Sequence, residues 1–212
     1  MTSLKRKFLI ATTTLMTAMA IEAHAYSQLY VFGDSLSDNG NLKALQAGVP
    51  DRFTNGPVAV EVVAAALGLP LTPSYHLIPN APHGTNYAIA GARAQDDDGN
   101  EATPDINLPT QVNAFLQIHG GQAPTDALYI VLIGGNDIRA ARALRAEAIL
   151  TDADEESDDE RGAARDAIEA AVESQQAQIE KLIRAGARHI LVANAPDIGA
   201  IPETDLVATQ VA

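Results

Sequence analysis

The order of strand-like and helix-like segments predicts an α/β fold, a doubly wound parallel sheet with helices on both faces. Three observations carry this expectation. The stretch "ALYIVLIGGND", residues 127–137, is a continuous apolar run of the kind a central parallel strand needs when both of its faces are covered. Residues 56–70 and 162–185 repeat apolar side chains at helical spacing and stop at Gly68 and Gly186. Finally, four apolar runs end in glycine-rich or polar loops, "GDSLSDNG", "AGARA", "GGND" and "NAPDIG". In a parallel sheet these loops all open at one edge.

The first 25 residues stand apart. Lys5, Arg6 and Lys7 precede the apolar stretch 8–21, and Ala23-His24-Ala25 has the small-x-small form of a cleavage site. This is the pattern of a secretory signal peptide cut near Ala25, which places the mature chain in a secreted, periplasmic or cell-surface setting. A membrane anchor would want about 20 mainly apolar residues, and this stretch is shorter. The remaining chain, 26–212, suits one domain, and no repeat or Pro/Ser-rich linker divides it.

Along that domain, residues 28–32 form a β-type run that enters the first polar loop, followed by a helical stretch over 42–46. In "GPVAVEVVAAALGLP", Pro57 opens a helix whose Val60, Val63, Ala64 and Leu67 share a face. "TNYAIAGARA" is a second apolar run ending in glycine, and Val112, Phe115, Leu116 and His119 mark an amphipathic helix closed by Gly120. The central strand follows. Residues 139–150 are helical by composition, 151–160 are an acidic run, and Ile168, Val172, Gln175, Ile179 and Leu182 line a long helix. "RHILVANAPDIG" is then expected as a buried strand, and "TDLVATQVA" as the start of a helix.

Composition narrows the function. Losing residues 1–25 removes three basic and one acidic residue, so the formal charge falls from −13 to −15. A field of that sign disfavours nucleic acid and anionic headgroups as partners. The chain has no cysteine, which excludes disulfides and thiolate metal sites. The acidic run reads as a solvated loop, and the EF-hand-like spacing of Asp96, Asp98 and Gly99 has Ala94 at the first ligand position and Asp105 at the last. No metal and no cofactor are expected.

The polar loops carry the chemistry. Ser35 follows Gly33 and Asp34 at a strand end, where a helix N-terminus would direct free amides and partial positive charge at a hydroxyl. Acyl transfer through serine needs donors aimed at the carbonyl oxygen as it becomes negative. The Ser35 amide, the Gly91 amide and the Asn136 side chain are candidates, with Gly134 and Gly135 letting the third loop turn. Blander roles stand beside these: helix capping for Ser35 and Asn136, tight packing for Gly91, and loop support for Asp34.

"FGDSLSDNGN", "GTNYAIAGARA" and "IGGND", in this order, resemble the first three sequence blocks of the GDSL-type lipase/esterases of the SGNH hydrolase family. "RFTNGPVAVEVVAAALGLP" and "VANAPDIGAIP" are similar to further segments of its lipolytic branch. The resemblance implies a three-layer, flavodoxin-like sheet and a carboxylesterase, lipase or phospholipase acting on a small-molecule or lipid ester. It makes Ser35 the nucleophile, and Gly91 and Asn136 the oxyanion donors. The family's last block, Asp-x-x-His, supplies the general base, and no histidine follows His189. The expectation is therefore a C-terminally incomplete domain, lacking a final strand and helix, with impaired turnover. None of His24, His76, His83, His119 and His189 is expected on a catalytic loop. Two rivals remain, a noncatalytic ester- or glycan-binding module on the same fold, and a flavin- or nucleotide-binding sheet that leaves Gly91 and "GGND" without a task.

Overall fold

A computed structural model describes residues 25–96, 105–151 and 158–195. Its elements are β1 (Leu29–Gly33), α1 (Asn41–Leu45), α2 (Ala59–Ala66), α3 (Leu108–Ile118), β2 (Leu128–Leu132), α4 (Gly135–Thr151), α5 (Asp158–Ala185) and β3 (His189–Val192). The strands form a parallel sheet in the order β1-β2-β3, with Leu29 level with Leu128 and Gly33 level with Leu132. Residues 1–24, where most of the expected signal peptide falls, the segment 97–104, residues 152–157 and everything after Ala195 lie outside the described residues. Among the described residues, no helix is long and apolar enough to cross a membrane.

Strand alternation explains how both faces are covered. Leu29 and Val31 of β1, with Leu128 and Ile130 of β2, pack with Val60 and Ala64 of α2 on one face. Tyr30, Phe32, Tyr129 and Val131 point the other way, against Val112 and Phe115 of α3 and Leu182 of α5. Phe115 is the hub of that second layer, with ring centroids 4.9 Å from Tyr30, 5.6 Å from Phe32, 5.7 Å from Tyr87 and 5.8 Å from Tyr129. Such edge-on aromatic pairs contribute about 0.5–1.5 kcal/mol each beyond area burial.

The expected second strand is not a regular one. Its residues follow the outer edge of β1 irregularly: the Val31 amide donates to Thr85 O (3.1 Å), Tyr87 to Val31 O (2.7 Å) and Ile89 to Gly33 O (3.1 Å). The only bridges there join Asn86 to Val31 and to Pro73, because the Asn86 side chain turns to bond the first loop. The chain thus leaves β1 through α2 to one side, then returns through α3 to β2 on the other. That reversal puts a topological switch point between β1 and β2, where open α/β sheets bind ligands.

Four further expectations need correction. The strand "RHILV" is an exposed edge, not a buried strand: Leu191 and Val192 are each 47% accessible, since β3 pairs only with β2 among the described residues. In α5 the buried stripe runs through Ala171, Gln178 and Leu182, leaving Val172 57% exposed. In that setting Ser174 Oγ donates to Ala94 O (2.6 Å) and Lys181 Nζ to Asn113 Oδ1 (3.0 Å). In α2 the stripe is narrow, Val60 and Ala64, and Val63 faces outward. The helix after β2 also begins earlier than composition suggested, at Gly135, so Asn136 and Asp137 lie in its first turn.

Candidate active site

The first loop leaves β1 at Gly33, where there is no room for a side chain. A Cβ there would lie 2.3 Å from the carbonyl oxygen of Leu132 on β2. Asp34 then turns the chain back on itself. Its carbonyl accepts the amides of Ser37 (3.0 Å) and Asp38 (2.9 Å), and its Oδ1 accepts the Leu36 amide (3.0 Å). Ser35 sits at the outside of this turn, half-buried, and among the described residues neither its amide nor its hydroxyl has a hydrogen-bond partner.

Asp38 ties this loop to the second. Its Oδ1 accepts the Gly40 (2.8 Å) and Asn41 (2.7 Å) amides, while Oδ2 accepts Leu42 (3.1 Å) and, across the molecule, Ala90 (2.8 Å). Ala90 immediately precedes Gly91. Asn86 adds a parallel tie, its Nδ2 donating to Ser37 O (2.7 Å) and Asn39 Oδ1 (2.8 Å). Asn41 returns the contact by donating to Asn86 O (2.7 Å) and Ala88 O (2.8 Å). Gly91 is exposed and has φ of +91°, a conformation strained for residues with a Cβ.

The third loop closes on both. Gly134 turns with φ of +119°, and Gly135 opens α4 beside Asp34, whose Oδ2 would lie 3.7 Å from a Cβ added there. The sharp turn expected of the glycine pair belongs to Gly134 alone. Asn136 Nδ2 donates to Ala92 O (2.8 Å), one residue from Gly91, which leaves its second N–H available. Asp137 accepts the Ala94 amide on both oxygens (3.1 and 3.0 Å). The three loops therefore meet at one sheet edge, with the Gly91 loop bonded to both the Ser35 loop and the Asn136 loop. The fourth loop lies outside the described residues from residue 196 onward.

Electrostatics follows from burial. Asp34 is raised from 3.8 to about 6, first by desolvation and then by the nearby Asp137 carboxylate, against the pull of the Leu36 amide. Asp137 is itself raised by burial, and the Ala94 amide works against the rise. The histidines are engaged elsewhere. His76 Nδ1 bonds Ser74 Oγ (2.6 Å), and burial depresses it to about 4, so it is neutral near pH 7. His83 Nδ1 donates to Ser74 O (3.2 Å). His119 Nδ1 donates to Phe115 O (2.8 Å), and its Nε2 lies 3.0 Å from the Tyr30 hydroxyl, which donates to Gln28 Oε1. His189 is level with Leu128 at the opposite end of β2, about 13 Å down the strand from the Gly33 level.

Asp38, Asn86, Gln111 and Asp137 were not singled out from sequence, yet all four are buried and hold the loops. A signal was present for two of them. Asn86 interrupts an apolar run, and Gln111 falls on the same face as Leu108, Val112 and Phe115. A polar residue on a core stripe needs partners there.

A family model described as GDSL-like Lipase/Acylhydrolase matches residues 29–211. The chain is 32% identical over 203 residues to Lipase 1 of Photorhabdus luminescens, which covers 94% of this chain and 27% of that protein. It is 30% identical over 205 residues to GDSL esterase/lipase 7 of Arabidopsis thaliana, covering 82% of this chain and 54% of the relative. With GDSL esterase/lipase LTL1 of the same plant it shares 30% over 161 residues, 61% of this chain and 44% of the other. The chain thus spans between about a quarter and about half the length of these relatives.

Proposed function

Because the chain belongs to the GDSL-like lipase/acylhydrolase family, we propose that it is a serine ester hydrolase working through an acyl-serine intermediate on Ser35. Ser35 Oγ attacks the ester carbonyl as its proton passes to a base, and that proton is returned to the leaving oxygen as the alcohol departs and the acyl-enzyme forms. Water then repeats the attack and releases the acid. The oxyanion of each tetrahedral state is held by the Ser35 amide, the Gly91 amide and the free N–H of Asn136, donors that need no reorganisation at the moment of reaction. Gly33 and Asp34 shape the loop that presents Ser35, and Gly134 and Gly135 the loop that presents Asn136. The mechanism requires no cofactor. The observation that carries the reading is the cross-bonding of the three loops, above all Asn136 to Ala92 O and Ala90 to Asp38.

The base is the weak part of this polypeptide. The described histidines bond to other partners or, for His189, lie at the far end of β2, and none bonds Ser35; removing a triad base costs about four to six powers of ten in turnover. We therefore propose slow turnover by the 212-residue chain. The second reading, a noncatalytic module that binds an ester or glycan, is favoured by the lack of a bond between Ser35 and any described histidine. We also propose export, with cleavage near Ala25; the mature N-terminus recovered from a secreting host should then be Tyr26.

Incubation with p-nitrophenyl butyrate and with a fluorophosphonate separates these readings. The hydrolase reading expects a phosphonyl adduct mapped to Ser35, absent from Ser35→Ala, with little ester turnover. Saturable ester binding with no adduct supports the binding module. Adduct formation elsewhere, at equal rate in Ser35→Ala, refutes the assignment. Brisk hydrolysis abolished by Ser35→Ala would overturn only the impairment.

A further inference from the structure

Parallel pairing gives each strand residue that faces a neighbour both a donor and an acceptor to satisfy on that side. Along the outer edge of β1, Val31 is served by Thr85 and Tyr87. Two residues on, the neighbouring segment still supplies a donor, the Ile89 amide, to Gly33 O, yet no backbone carbonyl reaches the Gly33 amide. Gln111 fills the gap from α3. Its Oε1 accepts the Gly33 amide (2.9 Å), its Nε2 donates to Gly33 O (2.9 Å), and the second Nε2 proton goes to Ile106 O (2.9 Å). The side chain is fully buried, and these three bonds fix which way its amide points.

We propose that Gln111 is a positioning residue for Ser35: its side-chain amide takes the place of a strand neighbour at the end of β1 and sets the direction in which the chain leaves the sheet toward the nucleophile. The inference rests on Ser35 being that nucleophile. Its geometric half stands without it, because Gly33 is two residues from Ser35 and has no other partner for its amide among the described residues. Leucine would fill a similar volume and leave the Gly33 amide and the Ile106 carbonyl unpaired. Glutamate is the sharper probe. Protonated, it can accept from the Gly33 amide and donate to Gly33 O as the native amide does; ionised, it has acceptors only and faces two carbonyl oxygens.

The test compares wild type, Gln111→Leu and Gln111→Glu across pH 4 to 8, with wild type as the reference at each pH for the titration of nearby Asp34 and Asp137. Hydrogen exchange is read at Gly33–Leu36 and, as a check on folding, at Tyr129–Val131; phosphonate labelling is read at Ser35. Gln111→Leu should lose Gly33 protection at every pH and label roughly 10- to 100-fold more slowly, as expected for a misplaced nucleophile. Gln111→Glu should match wild type at acid pH and approach the leucine variant as the carboxyl ionises. Wild-type exchange at Gly33 in both variants, with β2 still protected, overturns the proposal. So does labelling at the wild-type rate in both. If wild type takes no label while the exchange pattern follows the glutamate titration, the hydrolase reading fails and the anchoring by Gln111 stands.

Discussion

Replacing Gly33 by alanine tests whether the first loop is held by the sheet or merely attached to it. The new Cβ would lie 2.3 Å from Leu132 O, a backbone atom in the central strand, and only 3.4 Å from Ser37 Oγ. A Cβ essentially never approaches an atom closer than 3.0 Å, so the ends of β1 and β2 must separate by at least about 0.7 Å. Overpacking of this kind costs about 1–3 kcal/mol. The separation also strains the two Gln111 bonds at Gly33, worth about 1 kcal/mol each when lost. Gly33→Ala should therefore lose about 2–4 kcal/mol in urea unfolding followed by far-UV circular dichroism, and label Ser35 about 100-fold more slowly, since a shift near 1 Å at a reacting group has that effect. Gly135→Ala is the matched control. Its Cβ would meet Asp34 Oδ2 at an ordinary 3.7 Å, and alanine in a helix is favoured over glycine by about 0.5–1 kcal/mol. Stability of Gly33→Ala within 0.5 kcal/mol of wild type, with unchanged labelling, would refute the reasoning.

Other substitutions test other links. Asp38→Asn turns an NH₂ group toward two of the four amides that Asp38 accepts; a loss of about 1–3 kcal/mol and slower labelling are expected from denaturant curves and timed mass spectra. Asn136→Ala should leave the fold within about 1 kcal/mol of wild type, having lost one hydrogen bond, while slowing phosphonylation by about 10²–10³-fold. Asp34 gives a pH signature. Its folded value of about 6 lies above the unfolded 3.8, so the folded state holds the extra proton and stability falls as pH rises from about 4 through 6. The interval is worth about 3 kcal/mol. Unfolding free energies at pH 4 and pH 7 should shift in favour of Asp34→Asn by up to that amount, and an unchanged difference would contradict the buried placement.

What the sequence revealed, and what it hid, has a physical pattern. β2 was readable because a strand covered on both faces must be apolar at every position, and Leu128–Val131 are all buried. The loop glycines and Ser35 were readable because close approach and sharp turns demand specific residue types. The setting of α5 was not, since Ala171 and Val172 are both apolar and the choice between them depends on long-range contacts such as Ser174 to Ala94 O and Lys181 to Asn113. Edge and centre were also confused: "HILV" carries the same letters as a buried strand, and nothing local distinguishes the two. The side chains that bind the loops together were hidden for a related reason. Asp38 spans 52 residues to reach Ala90, and Gln111 spans 78 to reach Gly33; pairings over such distances depend on the assembled sheet.

The most direct measurement of the central claim is a crystal structure of the chain phosphonylated at Ser35. The account predicts a phosphonyl oxygen about 2.7–3.1 Å from the Ser35 amide, the Gly91 amide and Asn136 Nδ2 together. An adduct whose oxygens face solvent, with Gly91 or Asn136 out of hydrogen-bonding reach, would contradict it.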